Sequence, residues 1–306
     1  GVRFLASGLE LGLDATAPYS VEWSPPGPGT YSLTAVATDN SGNQTTSAVV
    51  RVAVAVPPVI TSATTALAVR GNAFEFHVTA SNTPTSFAAS NLPPGLTLTP
   101  STGVIAGTPT TEGVYAVGLT ATSALGPGPA ATLTISVNTA PTITTQPEPR
   151  TAVAGTNVTL AVVAAGTTPA YQWRKEGAAI TGATGANLVL NDVQIAAAGH
   201  YDVVVSNPAG NVTSVVVLLT VQVPPHVTSQ PQAAEVIAGQ AAVFQVGASG
   251  TPAPTYQWRK DGQDLANATG ATLTLANTQT SDAGAYDVVV TNPAGSETSN
   301  PVTLTV

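Results

Sequence analysis

The heptad "YQWRKEG" at residues 171–177 returns as "YQWRKDG" at residues 256–262, with glutamate replaced by aspartate as the single difference. The match extends further at the same spacing of 85 residues, because "GHYDVVVSNPAG" at residues 199–210 returns as "GAYDVVVTNPAG" at residues 284–295. Repeats of true solenoids are much shorter than this. The second half of the chain therefore consists of two copies of one domain.

Apolar and polar residues alternate inside each copy, which predicts half-buried β-strands. Val158 and Leu160 share one face of "NVTLAV", while Tyr201, Val203 and Val205 share one face of "YDVVVS". Clusters of Gly, Asn and Pro between such runs predict turns. About seven strands fit into each copy, which is the strand count of an immunoglobulin-like β-sandwich.

The composition excludes several classes of protein. The 306 residues are 43% hydrophobic, enough for a packed core, but only 8% are charged. With a net charge of −8 and two lysines, Lys175 and Lys260, the chain offers no basic surface to a nucleic acid. No apolar run reaches the roughly 20 residues that span a bilayer, so we expect no membrane insertion. Without cysteine, the chain can form neither disulfides nor thiolate metal sites.

In the earlier copy the motifs G-x-x-V-x-L-x-V, W-x-K-x-G and G-x-Y-x-V follow one another in an order that resembles the I-set immunoglobulin domain, and the later copy repeats W-x-K-x-G and G-x-Y-x-V. The resemblance places a tryptophan of strand C and a tyrosine corner in the core, and it places valine pairs where the family has its two cysteines. The predicted structural core is Val162, Trp173, Tyr201 and Val203 in one copy, and Val246, Trp258, Tyr286 and Val288 in the other. Asp282 matches the family's D-x-G-x-Y, whereas Ala197 takes its place in the earlier copy and predicts a looser turn.

The repeated heptad is then mainly structural. Its tryptophan points into the sandwich, its glutamine and arginine point outward, and its last three residues begin the turn after strand C. A ligand-binding role for Arg174 and Lys175 is the alternative, although charges on a strand surface are usually only solvated.

Residues 56–138 have no such tryptophan and carry "LPPGLTLTPSTGVIAGTPTTEGVYAVGLTAT" instead. This string resembles the bacterial putative-Ig, cadherin-like repeat, whose G-L-P-P-G-L and T-G-x-I-x-G-T-P motifs it matches closely. The alternation of Tyr115, Val117, Leu119 and Ala121 independently predicts a strand with one inward face.

Residues 1–55 resemble a further bacterial Ig-like repeat in "VRFLASGLELGLDATAPYSVEW" and "GTYSLTAVATDNSGN". The family's repeat begins two strands earlier, so we expect an incomplete sandwich in which Phe4, Leu33 and Ala35 lack part of the opposing sheet. The chain also has no initiating methionine or signal segment, which indicates a mature or excised piece. We expect upstream residues of the same polypeptide to complete the sandwich; a strand donated by another chain is the alternative.

These observations predict an all-β protein with four tandem immunoglobulin-like β-sandwiches, the first incomplete, in an extended array. The predicted domains are residues 1–55, 56–138, 139–222 and 223–306. The joints "VPP" at 56–58, "NTAP" at 138–141 and "VPP" at 223–225 are short and contain proline, which favours semi-rigid spacers.

The sequence offers few residues for chemistry. His77, His200 and His226 lie in different predicted domains, and no pair has the spacing of metal ligands. Asp39, Asn40 and Asn43 are calcium candidates because they form an oxygen-rich turn, but ordinary hairpins use the same residue types. No motif of a nucleophilic or metal-dependent enzyme occurs. We therefore predict no catalytic residues, no cofactor and no enzymatic activity.

The resemblance implies a non-catalytic stalk or adhesion region of a large bacterial surface or secreted protein, located outside the cell or at its surface. One alternative is the accessory region of a secreted polysaccharide-degrading enzyme. Another is the subunit of an extracellular filament joined by strand complementation. Expected partners are other domains of the same polypeptide, cell-surface glycans or proteins, or like subunits through strand exchange. These functional expectations rest on fold analogy.

Overall fold

The computed structural model describes residues 1–306 and is almost entirely β-structure, with 55% of residues in strands and 2% in helix. The helical residues form two short 3-10 turns, Ile195–Ala197 and Thr280–Asp282. The all-β prediction is thus confirmed, as expected for a chain rich in Val, Thr and turn residues. The chain divides into two compact units, residues 1–139 and 140–306. The finer division into four domains stays a prediction, and we use it below to name a first, second, third and fourth segment.

The first segment forms one sheet and no second one. Its strands are β1 (Val2–Ala6), β2 (Leu9–Asp14), β3 (Gly29–Thr38), β4 (Gln44–Thr46) and β5 (Val50–Val54). They lie in the order β2-β1-β3, and both β4 and β5 pair with the far side of β3. Phe4 lies opposite Ala35, and Leu33 lies opposite Val50, so one face of this sheet is continuously apolar.

The second segment folds into two sheets. Its strands are β6 (Thr65–Val69), β7 (Phe74–His77), β8 (Ser86–Ser90), β9 (Leu96–Thr99), β10 (Val104–Gly107), β11 (Gly113–Ser123), β12 (Gly126–Pro127) and β13 (Ala131–Asn138). One sheet has the order β12-β11-β13-β6, with β8 also on β11, and the other has the order β7-β10-β9. The two sheets enclose a cluster that includes Ile105, Val117, Leu133 and Ile135, all fully buried.

The third segment repeats the two-sheet arrangement. Its strands are β14 (Thr142–Thr145), β15 (Arg150–Val153), β16 (Val158–Ala161), β17 (Val163–Ala165), β18 (Ala170–Lys175), β19 (Ala178–Ala179), β20 (Asn187–Leu190), β21 (Gly199–Asn207), β22 (Gly210–Thr213) and β23 (Val217–Ser229). The larger sheet has the order β15-β23-β21-β18-β19, and β16 pairs with β20 opposite it. Strand β23 does not stop at the predicted boundary and continues into the fourth segment.

The fourth segment has the same topology. Its strands are β24 (Ala234–Glu235), β25 (Ala242–Gln245), β26 (Gly247–Thr251), β27 (Thr255–Lys260), β28 (Gln263–Asp264), β29 (Thr272–Leu275), β30 (Gly284–Asn292), β31 (Gly295–Thr298) and β32 (Val302–Thr305). Its larger sheet has the order β24-β32-β30-β27-β28, and β25 pairs with β29. The third and fourth segments each enclose a separate apolar cluster around a fully buried tryptophan.

A parallel edge strand distinguishes the later segments from the first. In the second, third and fourth segments a short strand runs parallel to the last strand of the larger sheet, pairing β6 with β13, β15 with β23 and β24 with β32. In the first segment the corresponding last strand, β5, pairs with β3 alone. The first segment therefore lacks both the edge strand and the facing sheet that complete the other three.

Candidate functional site

The repeated heptad is built into the core and its rim in both copies. Trp173 and Trp258 are fully buried, and their indole N–H groups donate to the carbonyls of Gly185 and Gly270 at 3.0 and 2.9 Å. The preceding glutamine points to the sheet edge, where the Gln172 amide donates to the carbonyls of Trp173 and Ile180. The aromatic and amide parts of the heptad are thus occupied by structural contacts.

The basic part of the heptad is also bonded within the chain. The Arg174 guanidinium donates two hydrogen bonds to the Asp202 carboxylate, at 2.7 and 2.6 Å, and Arg259 does the same to Asp287 at 2.7 and 2.9 Å. This bidentate contact raises the pKa of both guanidinium groups. The Lys175 ammonium donates to the carbonyl of Ala196. These partners support the structural interpretation over a ligand-binding role for the arginine and lysine.

The eight residues predicted as structural core all lie in the two buried clusters. Their exposed fractions range from 0% to 3%. Val162 and Val203 belong to the cluster around Trp173, and Val246 and Val288 belong to the cluster around Trp258. In the fourth segment the ring of Phe244 stacks on Tyr286 with centroids 5.0 Å apart. Apolar packing thus occupies the positions where the I-set family has its two cysteines.

A tyrosine corner occurs four times in the structure. The sequence analysis identified two of the four, at Tyr201 and Tyr286. In each case the hydroxyl of a tyrosine at the start of a long strand donates to the carbonyl four residues earlier. The four pairs are Tyr31 with Gly27 at 2.8 Å, Tyr115 with Thr111 at 3.3 Å, Tyr201 with Ala197 at 2.7 Å, and Tyr286 with Asp282 at 2.8 Å. The shared motif is G-x-Y, which begins at residues 29, 113, 199 and 284. That spacing was a signal in the sequence that could have revealed all four.

The first, third and fourth segments share the same serine contact in their last hairpin. Ser47 donates its backbone N–H to the carbonyl of Ala35 at 2.8 Å, and its hydroxyl accepts from the N–H of the same residue at 3.0 Å. Ser214 and Ser299 make the same two contacts to Val203 and Val288. The hairpin of β3 with β4 and β5 is therefore equivalent to the last hairpin of the third and fourth segments.

The turn before the last two tyrosines forms with and without its aspartate. In the fourth segment Asp282 accepts from the backbone N–H of Gln279 at 2.8 Å and completes a capping box. In the third segment Ala197 cannot do this, yet residues Ile195–Ala197 form the same 3-10 turn with no side-chain cap. With alanine in place of aspartate, the turn thus has no side-chain cap but keeps the same 3-10 conformation.

The calcium candidates form the β3–β4 turn. The Asp39 carboxylate accepts from the backbone N–H groups of Ser41 and Asn43 at 2.8 and 2.9 Å, and from the Asn43 amide at 2.9 Å. These bonds, the Asn43 side chain first, lower the pKa of Asp39. Asn40 is exposed in the same turn. The turn uses Asp39 and Asn43 as an ordinary hairpin does, and a calcium role for the three residues remains a prediction.

Each histidine lies beside a glutamate. The ring of His77 lies 2.7 Å from the Glu75 carboxylate, that of His200 lies 3.5 Å from Glu176, and that of His226 lies 3.1 Å from Glu297. The three pairs are separate, and no group of three or more His, Asp or Glu side chains converges anywhere in residues 1–306. Sequence reasoning missed the partners of His200 and His226 because the fold brings residues distant in sequence together, whereas Glu75 and His77 alternate on one strand and their pairing had a local signal.

A cavity lies on the open apolar face of the first sheet. Its volume is about 590 Å³, within the range of small-molecule sites. Phe4, Leu33 and Ala35, which the sequence predicts to lack part of the opposing sheet, line this cavity together with Val50. In the first segment only Ala6 and Val36 are buried among the apolar residues. The other apolar residues of this sheet are half-buried or exposed.

A long connection between β2 and β3 covers part of this open face. Asp14 holds its start by accepting from Thr16 and from the backbone N–H of Ser20, bonds that lower the pKa of Asp14. Val21 and Trp23, further along, form one wall of the cavity, and the Trp23 ring meets Tyr31 edge-on at 5.0 Å. The site therefore combines an aromatic wall, an apolar floor and the unpaired outer edge of β5.

Comparison with known families agrees with this geometry. The profile of the "Putative Ig domain" matches residues 57–138, that of the "Immunoglobulin domain" matches residues 140–207, and that of the "Immunoglobulin I-set domain" matches residues 225–306. The chain is a tandem array of immunoglobulin-like domains. The resemblance of residues 56–306 to these domain types is thereby confirmed.

Relatives of these immunoglobulin-like domains include hemicentin-2 of Mus musculus, 36% identical over 180 residues, which covers 54% of this chain and 4% of hemicentin-2. Endoglucanase C of Cellulomonas fimi is 32% identical over 181 residues, which covers 56% of this chain and 16% of the endoglucanase. Among solved structures, an I-band fragment of titin is similar, with a TM-score of 0.64 and 20% identity. The match covers 82% of this chain and 98% of the titin fragment. The titin likeness shows the fold, and the chain spans a small part of both relatives.

None of the helical turns in the structure is long and apolar enough to cross a membrane.

Proposed function

We propose that the chain is a non-catalytic extracellular stalk or adhesion region of a large bacterial surface or secreted protein. The observation that carries this proposal is the tandem repetition of one scaffold, in which the heptad's tryptophan, glutamine, arginine and lysine all serve internal contacts. Because these side chains serve internal contacts in both copies, they are not available for catalysis. The repeated domain therefore fits a structural spacer better than an enzyme. The tandem relatives with much longer chains support a place within a larger protein.

Adhesion requires surfaces that remain free after the internal contacts are made. The outward faces of the smaller sheets are such surfaces, because Thr159 and Val189 lie opposite each other and are exposed in the third segment, as are Val243 and Thr274 in the fourth. These faces carry no charge, which suits neutral partners such as other proteins or glycans better than polyanions. We therefore include neutral protein or glycan surfaces as the binding partners of the chain.

A direct test measures catalysis and binding in the same preparation. The purified 306-residue chain is assayed against ester, peptide and glycosidic substrates and is then applied to immobilised surface proteins and glycans. We expect no turnover and retention on at least one surface. Hydrolysis that survives repeated purification and disappears with a single substitution in this chain would contradict the non-catalytic proposal.

A second candidate is the accessory region of a secreted polysaccharide-degrading enzyme. The likeness to a protein named as an endoglucanase favours it, together with the aromatic wall formed by Trp23 beside the cavity of the first sheet. Sugar rings stack on exposed aromatic side chains, so affinity electrophoresis through a gel containing soluble glucan is informative. This candidate predicts retardation of the chain that Trp23→Ala abolishes and that Trp173→Phe, a change inside the core, leaves intact.

A third candidate is a filament subunit joined by strand complementation. The specific observation in its favour is the combination of an uncovered apolar face with the unpaired outer edge of β5, since such an edge is a template for another strand. It differs from the main proposal because it predicts regular polymers of the chain, which sedimentation velocity detects.

A further inference from the structure

The joint between the third and fourth segments is crossed by a single strand. β23 pairs with β21 and β15 in the third segment, and its last residues then pair with β26 of the fourth. Between Val223 and His226 the ladder register shifts, because Pro224 and Pro225 have no N–H to donate. Strand pairing is therefore weakest at the joint itself, and other contacts must hold it there.

Asn292, at the end of β30, supplies the first of these contacts. Its side-chain amide donates to the carbonyl of Val223 at 2.8 Å and to the carbonyl of Pro252 at 2.9 Å. Its own side-chain oxygen accepts from the N–H of Ala294 at 2.9 Å, and the residue is buried. One amide thus joins the linker, the β26–β27 loop and the β30–β31 turn of the fourth segment.

Glu297, on β31, supplies the second contact. One of its carboxylate oxygens accepts from the backbone N–H of Val227 at 3.0 Å and lies 3.1 Å from the ring nitrogen of His226. The carboxylate thus satisfies a backbone donor just beyond the two prolines. Val223 and Val227, on either side of those prolines, are both bound by the hairpin of β30 and β31.

The contact of Glu297 with Val227 and His226 has no counterpart at the equivalent residues of the third segment. By the 85-residue repeat of this hairpin, Val212 occupies the position of Glu297 in the third segment, and by the alignment of "ITTQP" with "VTSQP", Thr142 occupies the position of His226. Asn207, in contrast, keeps the position of Asn292 and donates to Thr167 at 2.8 Å. The asparagine belongs to the repeated scaffold, whereas the glutamate and the histidine do not recur in the third segment.

We propose that the β30–β31 hairpin clamps this joint through Asn292 and Glu297, so that the third and fourth segments move as one rigid pair. Segments joined by a short linker with a small interface otherwise move relative to one another. The clamp concerns the stiffness of residues 140–306 and does not depend on the proposed stalk or adhesion function. It makes these two segments a single mechanical unit.

The absence of cysteine in the chain permits a clean test. Spin labels are attached to the 306-residue chain through Thr159→Cys on β16 and Thr274→Cys on β29, both at exposed positions, and the distribution of distances between them is measured by pulsed electron resonance. Glu297→Ala is the deciding variant, because Glu297 is 37% exposed and its loss leaves the core of the fourth segment intact. Glu148→Gln, which removes an exposed carboxylate outside the joint, is the control.

We expect one narrow distribution in the parent chain and in the Glu148→Gln control, and a distribution about twofold wider in Glu297→Ala, with further broadening when Asn292→Ala is added. An unchanged melting profile of Glu297→Ala verifies that both segments remain folded. A distribution that is already wide in the parent would overturn the proposal. So would a Glu297→Ala distribution as narrow as that of the parent.

Discussion

The hydroxyl of Tyr31 donates to the carbonyl of Gly27 at 2.8 Å, the same contact that Tyr286 makes to Asp282 at 2.8 Å near the other end of the chain. Each tyrosine lies two residues after a glycine and opens the strand on which the sheet is centred. The contact therefore marks the same position in the first segment as in the complete sandwiches. The first segment is the larger sheet of an immunoglobulin-like sandwich, present without its partner sheet.

Loss of one corner hydroxyl should weaken the fourth segment measurably. Tyr286→Phe leaves the ring in the core and removes only the bond to Asp282, so we expect the free energy of unfolding to fall by about 1 kcal/mol. Tyr256→Phe is the matched control, because that hydroxyl has no hydrogen-bond partner within the chain, and it should change little. Chemical denaturation followed by tryptophan fluorescence measures both. Equal effects of the two substitutions would show that the corner bond contributes nothing to stability.

Loss of the buried tryptophan should cost far more. Trp258→Ala removes a fully buried side chain from the cluster of the fourth segment and leaves a cavity, for which we expect a loss of about 3–5 kcal/mol. Calorimetry of the 306-residue chain should show one melting component shifted down while the others stay in place, since the third segment has its own cluster around Trp173. A near-neutral Trp258→Ala would mean that the tryptophan is exposed in solution and that the I-set alignment is wrong.

Acid should loosen the β3–β4 turn before it affects the cores. The bonds from Asn43 and Ser41 lower the pKa of Asp39 below its ordinary value of 3.8. A carboxyl group with a lowered pKa in the folded state contributes stability that is present above the unfolded pKa and is lost as the pH falls through the folded one. We therefore expect the amide proton signals of Ser41 and Asn43 to titrate with a midpoint below 3.8. Asp39→Asn should abolish this transition, and a midpoint at or above 3.8 in the parent would contradict these hydrogen bonds.

Much of the fold could be predicted from the sequence because its determinants are local or repeated. Strand alternation and the 85-residue repeat identified the two later sandwiches, and the valine pairs at the cysteine positions lie in the buried clusters, as Val162 and Val203 show. The tyrosine corners at Tyr31 and Tyr115 were missed, although their G-x-Y signal was present in the sequence. The Asp202 partner of Arg174 was missed for a different reason. Two strands distant in sequence bring them together, and alternation alone does not set which residues face each other.

The candidate site was predictable only in outline. The sequence indicated that Phe4, Leu33 and Ala35 would lack an opposing sheet, and these residues line the cavity of the first segment. The position of Trp23 over that face could not be foreseen, since it depends on the path of the connection that Asp14 anchors. The clamp formed by Asn292 and Glu297 likewise depends on how the linker turns past two prolines, a feature without a local sequence signal.

Sedimentation velocity of the 306-residue chain beside a variant lacking residues 1–56 tests the stalk proposal most directly. The first sheet exposes its apolar face and one strand edge, so we expect a monomer that associates weakly and reversibly as the concentration rises. The shortened variant should stay monomeric and folded, because its three segments each have their own core. Regular polymers of the full chain that disappear when residues 1–56 are removed would contradict the stalk proposal and favour a filament built by strand complementation.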